Sequence, residues 1–297
     1  MRIRRPAAFG FYPSDSDEEN KEIENIFPPK RGASEKLEAT EKGKRKIIGA
    51  VVPHAGYVYS GPIAAHVYYQ LAEDGNPETF VILGPNHRGL PGFCIMDEGI
   101  WRMPLGDVQV DSDLAKAIVK HSQFVDSNPE AHNEEHSIEV QLPFLQYIYN
   151  GRFKIVPITV GYSDYGMCED VGTAIAKAIM ENKKDTVVIG STDFTHYGPM
   201  YGYAPVGMKP IEKVLKWIWD VDNSLIDMIL AMDGKKLVNT VDEKGYTMCG
   251  SFPVATMLVA TKELGAKNGK LLKYATSYDT QKSIDAIVGY GAVIVTK

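Results

Sequence analysis

Short runs of apolar residues alternate along the chain with segments whose apolar residues recur every three or four positions. A continuous apolar run of roughly four to eight residues is typical of a strand buried on both faces, and the longer repeat is typical of a helix with one buried face. The runs predict strands at 47–53, 79–83, 93–96, 154–160, 186–190, 271–277 and 286–295. The repeats predict helices at 61–71, 111–121, 138–145, 171–179 and 254–264, and a mostly helical stretch at 211–241 with a break at Gly234. Because strands and helices alternate, we expect an α/β fold, a layered sandwich in which helices flank a mixed central β-sheet.

Two segments carry weaker patterns. An acidic start at 14–19 predicts an N-terminal helix that ends near 27, and a charged connection follows at 30–46. This N-terminal part is too small to fold alone, so we expect one domain, 1–297, with 1–46 packed on its body. The segment 99–104, which contains Trp101, is expected to be an exposed connection.

Composition narrows the class of protein. The 297 residues are 44% hydrophobic and 24% charged, as in ordinary soluble globular domains. A formal net charge of -6, with no basic block, argues against nucleic acid or an anionic membrane as the partner. No apolar run is long enough to span a membrane, and no signal peptide is evident. The three scattered cysteines do not suggest a disulfide framework, so we expect a reducing, cytoplasmic setting.

Three of the seven histidines follow predicted strands in equivalent positions. His54 and His87 lie in loops flanked by proline and glycine, and His196 lies in the loop after 186–190. Ligands of open α/β sheets bind at the carboxyl ends of the strands, and imidazole is a common metal ligand. The pattern therefore predicts that these loops converge on one metal-centred site. The alternative is that each ring only hydrogen-bonds its own turn.

Other residues extend this candidate site. Asp193 lies three residues before His196 and could orient it as a general acid or base, or could simply form an Asx-turn. Cys249 immediately precedes a predicted helix, whose N-terminus would favour the thiolate, although a buried structural cysteine is the alternative. His136 is expected to begin a helix and either to line the pocket or to cap that helix. Tyr57 and Tyr197 flank the loops as substrate contacts or as packing residues.

The remaining motifs and histidines give no support for other classes of site. The sequence contains no P-loop, no G-x-G-x-x-G and no G-x-S-x-G motif, so phosphate-binding, dinucleotide-binding and serine-hydrolase functions lack support. His66, His121 and His132 are expected to be structural or solvent-facing. Cys94 and Cys168 are expected to be structural.

Five motifs, in order along nearly the whole chain, resemble those of the Memo family, which is related in fold to the class III extradiol ring-cleaving dioxygenases. They are VPHAGY from Val52, GPNH from Gly84, EHSIE from Glu135, STDFTHYG from Ser191 and MCG from Met248. The resemblance implies a class III extradiol dioxygenase-like sandwich with a pocket at the strand ends. It further implies that His54, His87 and Cys249 are metal ligands and that His196 is an acid/base.

The third ligand of the dioxygenases is a carboxylate, and Cys249 occupies the matching position here. A thiolate shifts the metal preference toward copper, zinc or thiolate-tolerant iron. One hypothesis is a dioxygenase-like oxidoreductase that uses iron(II) or copper, with zinc as another candidate, on a small aromatic or phenolic substrate. A second is a non-catalytic protein that binds a metal or a phosphorylated peptide. A third is a hydrolase with a triad of Cys249 as nucleophile, His196 or His87 as base and Asp193 as the residue that orients the base.

Overall fold

The predicted apolar runs form strands of one large mixed sheet. The computed structural model describes residues 2–27, 37–41 and 43–297. Within them the strands are β1 (Ile3–Arg4), β2 (Ile47–Val52), β3 (Thr79–Pro85), β4 (Phe93–Ile95), β5 (Ile100–Met103), β6 (Gly106–Val110), β7 (Val125–Ser127), β8 (Lys154–Val160), β9 (Thr186–Ser191), β10 (His196–Tyr197), β11 (Asn268–Thr276) and β12 (Ile287–Thr296). All seven predicted strands are present, with ends shifted by a few residues.

The centre of the sheet is parallel and its margins are largely antiparallel. The strand order is β1-β5-β6-β8-β3-β9-β2-β12-β10, with β11 paired to β12, and β4 paired to β7 and β8. From β6 to β2 every neighbouring pair is parallel, whereas β12 runs antiparallel to β2, β10 and β11. Strands β2, β3 and β9 are buried along their whole length, so both faces of the sheet centre are covered.

The helices cover this sheet. Within the described residues they are α1 (Ser16–Ile26), α2 (Tyr57–Asp74), α3 (Ser112–His121), α4 (Leu142–Tyr149), α5 (Tyr165–Asn182), α6 (Ile211–Leu230), α7 (Gly234–Lys244), α8 (Ser251–Glu263) and α9 (Ser277–Gln281). Helix α8 packs on β2, β3 and β9, and α5 packs against α8. Helix α2 packs on β2, β11 and β12, and α1 contacts α2 and α4. The predicted α/β sandwich with a mixed central sheet is confirmed.

Some local predictions were wrong. Trp101 does not lie in an exposed connection, because it belongs to β5 and is fully buried beneath the guanidinium of Arg4, 4.3 Å from its ring. His136 does not begin a regular helix, and only a 3₁₀ turn at Glu139–Gln141 precedes α4. The predicted helical stretch 211–241 is confirmed as two helices, α6 and α7, and its predicted break lies in the three residues before Gly234.

The N-terminal prediction is partly testable. Helix α1 begins after Asp15, whose carboxylate accepts hydrogen bonds from the backbone N–H groups of Asp17 and Glu18. Of the predicted charged connection, 30–36 and 42 lie outside the described residues. Among the helices that are described, none is both long and apolar enough to cross a membrane.

Candidate metal centre

Three neighbouring parallel strands, in the order β3, β9 and β2, end at the same edge of the sheet. Val52 at the end of β2 pairs with Ser191 at the end of β9, so the loops that follow leave the sheet side by side. The loop after β3 carries His87, the loop after β2 carries His54, and the loop after β9 carries Asp193 and His196. The structure therefore brings together residues that lie as many as 142 positions apart in sequence, from His54 to His196.

These loops open into a cavity of about 490 Å³. His54, His87, Asp193 and His196 all line it, as does His136. The rest of the lining includes apolar and aromatic residues and three polar ones: Phe11, Tyr59, Met200, Tyr201, Val288 and Tyr290, with Ser277, Gln281 and Ser283. This combination of convergent imidazoles and an aromatic wall is typical of a small-molecule site.

A potential metal-binding group lies at the base of the cavity. One ligand atom from each of His54, His87 and His136 lies within 4.8 Å of the other two. The ring centroids of His87 and His136 are 4.7 Å apart, and the His54 ring lies 5.4 Å and 5.6 Å from them. Sequence reasoning placed His136 in the pocket but not among the ligands.

The hydrogen-bond network fixes the tautomer of His54. The hydroxyl of Ser191 donates to the carbonyl of Ser137 at 2.7 Å, and its oxygen accepts from the side-chain amide of Gln141 at 3.0 Å. Since its single proton is used, the Ser191 oxygen must accept from His54 Nδ1 at 2.9 Å. The Nε2 lone pair of His54 is therefore left for an ion or a hydrogen-bond donor. Burial, together with the neighbouring imidazoles, holds the pKa of His54 well below its usual range, which keeps the ring neutral.

His87 is oriented by a buried carboxylate that sequence reasoning did not single out. Glu135 accepts from the His87 backbone N–H at 2.6 Å and from His87 Nδ1 at 3.0 Å. It also accepts from the backbone N–H groups of His136 and Ser137, both at 2.8 Å. Burial acts to raise the pKa of Glu135, but these hydrogen bonds prevail and lower it to about 2. Because the charged carboxylate accepts the hydrogen bond from Nδ1, the Nε2 lone pair of His87 is available to ligate a metal, as in many carboxylate–histidine–metal sites. The only sequence signal was its position beside His136.

Cys249 reaches the site from the loop between α7 and α8. Its Sγ lies 3.3 Å from His54 Nε2 and accepts from the backbone N–H of Asp193 at 3.3 Å. The loop can approach so closely because Gly250 has no side chain; a Cβ there would lie 2.5 Å from the Ser191 carbonyl oxygen. Cys249 is thus adjacent to His54 but is not a member of the three-histidine group.

Of the two alternatives for Cys249, a stabilised thiolate and a buried thiol, the surroundings of the sulfur favour the buried thiol. Burial and the neighbouring carboxylate of Asp193 raise the pKa of the Cys249 thiol, and these effects outweigh its place before a helix. The nearest base to the sulfur is His54, not His196 or His87. The predicted triad of a hydrolase is therefore not the arrangement observed.

His196 is held by backbone carbonyls. Its Nδ1 lies 3.0 Å from the carbonyl oxygen of Phe194 and 2.9 Å from that of Thr247, so Nδ1 carries the proton and Nε2 carries the lone pair. Asp193, predicted to orient this ring, instead accepts from the backbone N–H of His54 at 2.9 Å. Its carboxylate interacts with His196 only through space, and burial raises its pKa against that attraction.

The N-terminal segment contributes to the cavity, which sequence reasoning missed. The buried carboxylate of Glu139 pairs with Arg4 and accepts from the backbone N–H groups of Ala7 and Ala8 and from the Tyr12 hydroxyl. These contacts fasten residues 4–12, here called the N-terminal strap, across the site. The strap places the Phe11 ring 4.4 Å from that of His136.

Tyr57 and Tyr197, expected as substrate contacts or as packing residues, do not line the cavity. Tyr57 and Tyr197 are buried, and their hydroxyls donate to the carbonyls of Val140 and Gly207. Their rings lie in the core because the polar ends are satisfied there. His132 is also buried, as a structural residue, with Nε2 3.1 Å from the carbonyl oxygen of Cys94.

Comparison with known proteins agrees with the sequence motifs. The family model for Memo-like protein matches residues 4–294. A MEMO1 family protein of Methanopyrus kandleri is 44% identical over 293 residues, which is 98% of each chain. One from Thermococcus onnurineus is 43% identical over 304 residues, covering 99% of this chain and 100% of the other.

The fold also occurs in a solved structure. The crystal structure of an uncharacterized protein from Escherichia coli K12 matches with a TM-score of 0.53 at 12% identity, covering 84% of this chain and 100% of that one. At this identity the match shows a shared fold only. Because the family model and the relatives span almost the whole sequence, this chain belongs to the Memo family.

Proposed function

We propose that this protein is a metal-dependent oxidoreductase of the dioxygenase-like type, in which His54, His87 and Cys249 hold iron(II) or copper. The observation that carries the proposal is the pair of imidazoles whose Nδ1 atoms are already hydrogen-bonded, leaving both Nε2 lone pairs for an ion. His54 and His87 line a cavity of about 490 Å³, which is large enough for a small substrate beside an ion that they would hold.

One of the three donor distances, from Cys249 to His54, fits a shared ion, whereas Cys249 is not in the group whose ligand atoms all lie within 4.8 Å of one another. Ligand distances of about 2.3 Å to sulfur and 2.0–2.1 Å to nitrogen, at a tetrahedral angle, separate the two donors by roughly 3.5 Å. The observed separation of 3.3 Å between Cys249 Sγ and His54 Nε2 is close to that value. A cation at this point would also favour the thiolate, against the burial that opposes it in the metal-free protein. When bound, iron or copper supplies a Lewis acid and a one-electron couple for chemistry with dioxygen.

His196 has the geometry of the general base. Its Nδ1–H is held by two carbonyl oxygens, so its Nε2 lone pair accepts a proton from a hydroxyl group of a substrate in the cavity. The carboxylate of Asp193, which also lines the cavity, stabilises the positive charge that develops on the ring. Asp193 therefore acts on His196 by charge and not by a hydrogen bond.

The cavity wall favours a small aromatic or phenolic substrate over a phosphorylated peptide. Phe11, Tyr59, Tyr201 and Tyr290 provide flat apolar surface, and no lysine or arginine is among the described residues that line the cavity. Phosphate recognition by proteins generally depends on such cations. The phosphopeptide alternative therefore lacks the groups it needs at this site.

The hydrolase alternative is supported less well. The Cys249 sulfur does contact an imidazole, but the second nitrogen of that ring is bound to the hydroxyl of Ser191 and not to a carboxylate. Burial also keeps the thiol protonated.

The buried free thiols of Cys94 and Cys168 are consistent with a reducing, cytoplasmic compartment.

Elemental analysis and oxygen uptake together test the proposal. Protein purified without chelators and loaded anaerobically with iron(II) or copper(I) should hold one ion per chain, and His54→Gln should abolish that binding. His66→Gln, on α2 outside the cavity, is the matched control and should bind as the parent does. Metal-loaded protein should consume oxygen with a phenolic substrate, and His196→Gln should lose this activity while keeping its metal. A parent protein that stays metal-free after loading would refute the metal centre, and metal-loaded protein that consumes no oxygen with any phenol would refute the oxidoreductase.

A further inference from the structure

We propose that His136 is an alternative third ligand, so that the centre contains two overlapping donor sets that share His54 and His87. One set is completed by the sulfur of Cys249 and the other by the imidazole of His136. This inference rests on the proposed metal site, but it adds a ligand and a metal selectivity that the proposed function does not require.

The geometry supports the second set independently of the first. A ligand atom of His136 lies within 4.8 Å of those of both His54 and His87, and Cys249 does not belong to that group. Cys249 contacts the same His54 nitrogen that the second set would use, at 3.3 Å. His54 is therefore common to both sets, and the third donor is the group that differs.

The residues around His136 hold its ring in place and leave its Nε2 atom without a hydrogen bond among the described residues. Its backbone N–H donates to Glu135 at 2.8 Å, and its Nδ1 lies 3.3 Å from the same carboxylate oxygen. The ring packs between Phe11 and His87, with centroids at 4.4 Å and 4.7 Å. Across the described residues, no hydrogen bond uses His136 Nε2. An imidazole that lines a cavity with this nitrogen unused is arranged as a ligand.

The two donor sets differ in the ions they prefer. A thiolate is a soft donor and favours copper(I), whereas a third imidazole makes a site that suits zinc, cobalt(II), nickel(II) or copper(II). With the sulfur present, copper(I) and also cobalt(II), which accepts thiolate ligands as well as imidazoles, bind through Cys249. Without it, borderline ions remain bound by the three imidazoles. The centre thus does not depend on its cysteine for metal binding.

Cobalt(II) is the probe that separates the two sets, because thiolate ligation adds a charge-transfer absorption that imidazole ligation lacks. The parent protein should bind one cobalt(II) per chain with this absorption. Cys249→Ser should keep one cobalt(II) and lose the absorption, and the double variant Cys249→Ser/His136→Gln should lose stoichiometric binding. Cys94→Ser is the matched control for removing a thiol and should change neither property.

Each outcome is decisive. Loss of cobalt(II) in Cys249→Ser, while the parent binds it, would overturn the second donor set and leave the proposed function intact. A double variant that still binds one cobalt(II) would overturn the role of His136. A parent protein that binds no metal would overturn both proposals.

A second measurement does not depend on the folding of the double variant. Pulsed electron paramagnetic resonance of Cys249→Ser loaded with copper(II) should count three coordinated imidazoles. A count of two would refute ligation by His136.

Discussion

Replacing Glu139 by glutamine tests how the N-terminal strap is held over the site. The Glu139 carboxylate is fully buried and pairs with the equally buried guanidinium of Arg4. It also accepts from the backbone N–H groups of Ala7 and Ala8 and from the Tyr12 hydroxyl. Every one of these partners lies in residues 4–12, so this carboxylate holds the strap near both of its ends, in addition to the contacts that Arg4 and the Phe11 carbonyl make elsewhere.

The expected cost follows from the charge that is left behind. Arg4 also donates to the carbonyls of His132 and Glu135 and stacks on Trp101, so it remains buried when its carboxylate is removed. Breaking a buried ion pair by removing one partner costs about 3–5 kcal/mol, because the other charge stays uncompensated. The NH₂ group of a glutamine side chain would in addition face backbone N–H groups and a guanidinium, which are hydrogen-bond donors and cannot accept from it. We therefore expect Glu139→Gln to lose about 3–5 kcal/mol of unfolding free energy.

Urea unfolding followed by tryptophan fluorescence measures this loss, and Trp101 beside Arg4 is among the fluorophores. The matched control is Glu98→Gln, whose side chain is 63% exposed and pairs with Lys116 at 3.4 Å on the surface. An exposed pair contributes about 0–1 kcal/mol, so the control should unfold almost as the parent does. If Glu139→Gln is no less stable than Glu98→Gln, the strap is not held by this carboxylate and the reasoning is refuted.

Three further predictions concern the centre and helix α1. Glu135→Gln should weaken metal binding by about 10–100-fold, since it removes the charged partner of the His87 imidazole. Competition with a chromophoric chelator measures this change in affinity. Glu134→Gln, at an exposed position, is the control and should bind metal as the parent does. His196→Gln should lower turnover by about 10²–10⁴-fold without loss of metal, and a variant that keeps full oxygen uptake would contradict its role as base. Burial without a hydrogen-bond partner raises the pKa of Glu19 from 4.5 to about 8, so the folded state retains a proton that the unfolded chain has released. Stability should therefore fall between about pH 4.5 and 8, by up to about 1.4 kcal/mol per pH unit. Thermal unfolding across this pH range should show a smaller loss of stability in Glu19→Gln than in the parent, and an unchanged loss in the exposed Glu18→Gln. If both variants lose stability with pH as the parent does, Glu19 is not the group responsible.

The sheet and the convergence of the loops could be predicted because both depend on short-range patterns. Apolar runs that end in glycine or proline mark buried strands, and parallel strands place their carboxyl ends at one edge. This reasoning brought His54, His87 and His196 to one cavity, which the structure confirms. Trp101 was misplaced because its burial depends on Arg4, almost a hundred residues away in sequence.

The hydrogen-bond partners could not be predicted, since they lie far away along the chain or in the backbone. The partner of His54 is Ser191, which itself depends on Gln141, and no spacing rule connects them. Asp193 seemed the natural partner of His196 because only three residues separate them. The loop instead turns the carboxylate toward the backbone of His54 and leaves His196 to carbonyl oxygens.

Three of the four histidines that line the cavity, His54, His87 and His196, differ chiefly in what holds Nδ1, and the roles proposed for them follow from this difference. Nδ1 of His54 is hydrogen-bonded to the neutral hydroxyl of Ser191. Nδ1 of His87 is hydrogen-bonded to the carboxylate of Glu135, and the hydrogen bonds that Glu135 accepts keep that carboxylate charged. A charged partner makes His87 the stronger electron donor of the two ligands. His196 rests on carbonyl oxygens, which hold the ring through Nδ1 and leave its Nε2 lone pair in the cavity. All three orientations are set by protein groups before any ion binds, so a metal would meet a formed pair of ligands and a separate base.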